Sequence, residues 1–229
     1  MYRGPFQLIL IWALCGPVEF AAASMPDEDL HTVRGITIST HGGGRDWGQD
    51  VIVPTVQDIK TLGANWIATH PYGSISSDGS VGRRRFDDDP ATPIHWTRPI
   101  QEAHKAGLRI CIKPHLAYWG TEFSWRGDIT FDTDEKWARF WSEYSVWILS
   151  LAEACSEADA FVIGTELDKT LHHEAQWRAL IAKVRKVYHG LLPMRPTGRT
   201  TNAFHSEMPR CHRRAGVFPG LEHREPDDR

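Results

Sequence analysis

The sequence predicts an α/β protein built on a parallel sheet, and three observations predict it. Short runs rich in β-branched residues alternate four times with longer runs of helical periodicity. Gly63, Gly107 and Gly190 close three of the helical runs, where a left-handed cap is expected. The chain is 41% hydrophobic and 24% charged, enough apolar content for one sizeable core.

The elements follow in order. "GITIST" from Gly35 is the first strand, and 51–62 is an amphipathic helix ended by Gly63. "ANWIATH" over 64–70 is the second strand, followed by a helix over 94–106 that stops at Gly107. "LRICIKPHL" over 108–116 is the third strand. Residues 135–154 form a long helix whose apolar stripe is Trp137, Phe140, Trp141, Tyr144, Val146, Trp147 and Leu151. "AFVIGTEL" over 160–167 is the fourth strand, and 174–188 the fourth helix. Strands joined through helices lie parallel, because each crossover returns the chain to the same end of the sheet.

An open doubly wound sheet and a (β/α)8 barrel of the TIM type both satisfy this pattern. Polar and aromatic residues gather at the strand ends: His70, Pro71 and Tyr72; Lys113, Pro114 and His115; Thr165 and Glu166. Barrel enzymes build their sites there, which favours the barrel. "HGGGRDWG" over 41–48 is Gly-rich but matches neither a dinucleotide fingerprint nor a P-loop. Four βα units occupy 35–190, so eight would need about twice that length, and the barrel is expected to be truncated after about four units. Residues 191–229, rich in Arg, Pro and His and without period, are expected to be a disordered or out-of-frame tail.

The first residues set the expected location. Residues 1–24 have a charged start at Arg3, a short apolar run and an Ala-rich end, the pattern of a signal peptide, with 25–34 a linker. A secreted or periplasmic protein is expected, or a cytoplasmic one if Met25 is the true start. The apolar run is too short to span a bilayer as a helix. A net charge of −3 argues against nucleic acid and against polybasic membrane binding. Cys111, Cys155 and Cys211 show no metal-ligand spacing.

Glu166 is the foremost candidate for chemistry. A carboxylate ending an apolar barrel strand points into the mouth, where it can serve as general acid; the structural alternative is an ion pair with Lys113 or Arg126. His70 and Tyr72 stand two residues apart on strand two, as do Lys113 and His115 on strand three, so each pair shares a face. Hydroxyl binding and a satisfied structural histidine are both open for them. Trp125 offers an indole face and Arg126 a rigid donor fork, suited to a sugar or equally to a covered loop and a surface ion pair.

"FVIGTEL" followed by "WRALIAKVRKVYHG", with "KPHLAYWGTEFSWRGDI" upstream, resembles glycoside hydrolase family 113, β-mannanase-like (β/α)8 retaining glycosidases, over 35–190. The resemblance implies Glu166 as acid/base, a β-linked, mannan-type polysaccharide or oligosaccharide substrate, and no metal or organic cofactor. Thr165 stands where many relatives in the wider clan carry Asn. The family's nucleophile is a second Glu ending strand seven, beyond the four units present. A retaining enzyme needs two carboxyl groups about 5–5.5 Å apart, and one Glu cannot do both jobs. Glu122, Asp128 and Asp168 are the substitutes within the chain. A different reading is a non-catalytic fragment that binds polysaccharide weakly through Trp125, Arg126 and the strand-end histidines. Either way a half barrel exposes two sheet edges, so self-association is expected.

Overall fold

The computed structural model describes residues 33–39, 44–83 and 94–193. The expected signal peptide, the alternative start at Met25, all but the last two linker residues and the tail beyond 193 lie outside the described residues, as does most of the charge run "RRRFDDDP". Strands are β1 (Gly35–Ile38), β2 (Trp66–Thr69), β3 (Tyr72–Ile75), β4 (Val81–Arg83), β5 (Arg109–Ile112), β6 (His115–Ala117) and β7 (Ala160–Phe161). Helices are α1 (Ile52–Thr61), α2 (Ile94–Lys105), α3 (Asp134–Ala154) and α4 (Glu174–Val184).

The main sheet runs β1-β2-β5-β7 with every pair parallel, as the alternation requires. Side chains alternate with period two. Ile67, Ile110 and Ile112 are buried in one core with Val56 and Ile59 of α1, Ile100 of α2 and Phe140 of α3. Each of these fully buried side chains contributes about 1.5–3 kcal/mol through lost apolar exposure. Trp66, Ala68, Arg109 and Cys111 alternate with them and are only half-buried.

The third strand, expected as one run over 108–116, is broken into β5 and β6, and the second, expected to end at His70, resumes beyond Pro71 as β3. Pro71 and Pro114 have no N–H to donate, so the ladder loses its bonds there. Lys113 N donates to Thr69 O (2.8 Å) and His115 N to Pro71 O (2.8 Å), which carries the pairing across the gap. Thr69 faces Ile112 before the break and Tyr72 faces His115 after it, so the register is kept. The continuation is a second small sheet, β4-β3-β6. Its β3-β4 hairpin occupies what the sequence reading takes as loop.

α3 begins at Thr133, whose side chain accepts from Lys136 N (3.3 Å), with Asp134 and Glu135 in the positive first turn. The expected stripe is buried except Val146, which is half exposed on the outer face. Ile148, three residues from Ser145 on the packed side, takes its place in the core.

The fourth strand is shorter than expected, with ladder pairing at Ala160–Phe161 and a further bond from Val162 N to Ile112 O (2.8 Å). On its other side Ala160 bridges Leu191 in parallel. Phe161 N donates to Leu191 O (2.9 Å) and Ile163 N to Pro193 O (3.4 Å). Residues 191–193, "LLP", which the sequence reading assigns to the tail, are too short to register as an apolar run, yet they bond to β7 through an isolated parallel bridge. Among the described residues no helix is long and apolar enough to cross a membrane.

Candidate active site

Two packed aromatic residues position the end of strand four. Tyr144 on α3 donates its hydroxyl to Ile163 O (2.8 Å), fixing the backbone three residues before Glu166. Trp177 on α4 donates Nε1 to Thr170 O (3.1 Å) and fills the space where a Cβ on Gly164 would sit. Glu166 then takes φ 57, the one left-handed non-Gly residue among those described. Such a conformation costs roughly 1–2 kcal/mol for a residue with a Cβ, and it persists only where the surroundings over-determine it.

Glu166 Oε2 accepts from Arg126 Nη1 at 2.5 Å. Arg126, on the 3-10 turn Arg126–Asp128, also donates Nε to Leu116 O (3.3 Å), and its guanidinium lies 5.8 Å from the Tyr118 ring centre. The Arg126 side chain is 14% exposed and that of Glu166 36%. The ion pair raised as the structural alternative is thus formed, with Arg126 and not Lys113. Trp125 is half-buried, and its ring lies over Gly127, where any Cβ would collide with it.

A second group sits at the ends of strands two and three. The His70 and His115 rings stack (5.2 Å, 16°), and Tyr72 meets both edge-on at 5.2 and 5.7 Å. Ser39 Oγ and His70 Nε2 share a hydrogen bond of 2.6 Å. His70 Nδ1, both ring nitrogens of His115 and Thr165 Oγ1 are buried without a hydrogen-bond partner. Burial pushes His70 below the usual histidine range, and pushes His115 down to about 3, aided by the charges of Arg126 and Lys113. Both rings are therefore neutral at neutral pH, each with one donor and one acceptor nitrogen. A ligand whose hydroxyls donate and accept would satisfy these atoms, which otherwise cost free energy where they are.

Two of the three in-chain substitutes for a nucleophile, Glu122 and Asp128, face away from Glu166. Glu122 accepts from Ser77 Oγ, and Asp128 pairs with Lys169 at 3.5 Å. Both line a separate cavity of about 640 Å³ with Asp132, Lys136 and Lys169, which neither Glu166 nor Arg126 borders. Asp168 opens the 3-10 turn Asp168–Thr170. No group of three His, Cys, Asp or Glu suited to a metal occurs among the described residues. Sequence reasoning missed Ser39, Tyr118 and Trp119. Ser39 was legible through alternation, since it continues the Thr37 face of strand one; Tyr118 and Trp119 carried no signal until the loop that holds them was folded.

Residues 36–200 match the family model of Glycoside Hydrolase Family 113. The chain belongs to this family. Among solved structures, the family 113 β-mannanase AaManA from Alicyclobacillus acidocaldarius, in complex with ManMIm, is 26% identical with a TM-score of 0.63, over 72% of this chain and 55% of that one. Two structures of family 113 β-1,4-mannanase, one of them a complex, align at 19% and 20% identity with TM-scores of 0.59 and 0.60. Each alignment covers 71% of this chain and 54% of the other, and shares the fold. No curated protein matches. The family 113 chain thus spans about half the length of these solved relatives, and its parallel strands form part of a (β/α)8 barrel.

Proposed function

We propose that this family 113 chain acts in the retaining hydrolysis of β-linked, mannan-type polysaccharide, with Glu166 as acid/base. The observation that carries it is Glu166 itself: a carboxylate at the end of strand four, held in a left-handed conformation and paired with Arg126, whose charge reaches the buried His70 and His115 rings. A substrate's glycosidic oxygen would displace Arg126 from Oε2 and take a proton from Glu166, which then, as base, activates water against the glycosyl-enzyme. Arg126 and the neutral His70–His115 stack would hold hydroxyls around the scissile bond, with Tyr72, Lys113, Trp125 and Thr165 completing the mouth. The attacking carboxylate would be the family's strand-seven Glu, since Glu122 and Asp128 face another cavity. Export, to the outside or the periplasm, is supported by the signal-like residues 1–24.

A second reading, weak binding of polysaccharide without hydrolysis, is favoured by the Arg126 ion pair, which a purely structural Glu would also make. Incubation with β-mannan separates the two. Reducing sugar released by the native chain and abolished in Glu166→Gln is the expected result for the enzyme. Binding without release would leave the second reading, and release unaffected by Glu166→Gln would remove Glu166 from the chemistry.

A further inference from the structure

Trp119 is the one Trp, Tyr or Phe ring among the described residues left largely open to solvent, at 62% exposure. Its surroundings hold it there. Gly120 takes φ 84 in the turn that follows, and Thr121 closes that turn by donating both N (3.2 Å) and Oγ1 (2.5 Å) to Tyr118 O. The Tyr72 ring supports the indole at 5.3 Å and 44°, and Tyr118 lies 6.3 Å away.

These contacts place the indole between the two polar groups of the mouth. Through Tyr72 it adjoins the His70–His115 stack with its unpartnered nitrogens. Through Tyr118, which carries the Arg126 guanidinium on its ring, it adjoins the Glu166 ion pair. The ligand such a surface suits has an apolar face to cover the indole and a rim of hydroxyls to reach the imidazoles. A pyranose ring has both: axial C–H groups on its face and hydroxyls around its edge.

We propose that Trp119 is the stacking platform for a hexopyranose unit of the bound polysaccharide, a specificity residue next to the Glu166 site; this rests on the carbohydrate reading of that site. The sugar covers an indole face that is otherwise hydrated, while the stacked histidines fix the orientation of the ring through its hydroxyls. Trp119 makes no contribution to proton transfer and acts on affinity alone.

Isothermal titration of the full chain with mannotetraose tests it, with hydrolysis removed by working in Glu166→Gln. Trp119→Ala should weaken binding about tenfold, the loss of one stacked aromatic contact. Trp119→Phe, which keeps a π face, should stay within about threefold of the parent. The exposed position leaves the melting midpoint unchanged in both. Should the Ala variant melt early, Trp119→Leu decides against Trp119→Phe, since Leu keeps bulk without a π face. Equal affinity in the Trp119→Ala and parent proteins, or in the Leu and Phe variants, overturns the proposal and leaves the site reading standing. No binding of mannotetraose by the parent overturns both. Hydrolysis failing in the native chain while binding persists overturns only the catalytic role of Glu166.

Discussion

His115 shows how far a single side chain is committed to the folded site. Its ring is neutral in the fold because burial and the nearby charges of Arg126 and Lys113 oppose protonation, whereas in the unfolded chain it titrates near 6.5. Between pH 6.5 and about 3 the unfolded state therefore binds the extra proton, and stability is lost as pH falls through that window. The slope from His115 is at most about 1.4 kcal/mol per pH unit, and His70, lowered in the same direction by burial, adds to it. Denaturant titrations from pH 7 to 4 should show the native protein losing stability more steeply than His115→Gln, with the two curves parallel above pH 7. Parallel curves throughout would mean that the imidazole is solvated in the fold. Glu166 is committed in another way, through its backbone: a φ of 57 aims the carboxylate at Arg126 at a conformational cost that Gly would not bear.

The β3-β4 hairpin illustrates the same coupling between elements. Its turn closes through Ser76 N to Ser80 O and Gly79 N to Ser76 O, both 3.0 Å, and Gly79 has φ 86. A Cβ there would run into the carbonyl of Lys136 in the first turn of α3, so the hairpin rests against that helix by backbone. Arg139 on α3 pairs with Asp78 at 2.6 Å, and Val81 N donates to Glu143 (2.7 Å), which ties the hairpin down further. Gly79→Ala should cost roughly 1–3 kcal/mol, from strain at positive φ and the collision together. Thermal melting checks this, and a change under about 0.5 kcal/mol, the usual range for a surface substitution, would show the turn free of α3. The sequence did not disclose this hairpin, because "YGSISSDGSVG" has the alternation of a strand but contacts α3 from more than fifty residues away. Helices were more legible: α1 through α3 start and stop within two residues of the periodicity and the glycines, since their signals are local. The strand breaks at Pro71 and Pro114 were visible as prolines, but only the parallel partner shows that the register survives them. At the site, the residue types at the strand ends were legible, as was the choice of Arg126 or Lys113 as an ion partner. Which of the two, and that Trp125 folds onto Gly127 while Trp119 stays open, depends on a loop whose course no local pattern encodes.

For the whole molecule, the edges of the sheet decide what happens next. Among the described residues β1 is paired on one side alone, by β2, and the other edge of the sheet is β7 with the short bridge at Leu191. Two such edges of parallel strands are mutually compatible: a twofold axis along the barrel would set β1 of one copy beside residues 191–193 of a second, and the reverse, closing eight strands or more into one ring. The same step would cover the half-buried face of Ala68 and Cys111 and place two mouths at one end. We expect the chain to form dimers whose proportion rises with concentration, seen by sedimentation velocity. Thr37→Lys, on the exposed face of β1, should weaken them by putting a charge at each junction, while leaving the folding of the monomer intact because Ile36 and Ile38 still pack on the core. A single monomeric species across the concentration range would show that the edges are covered otherwise.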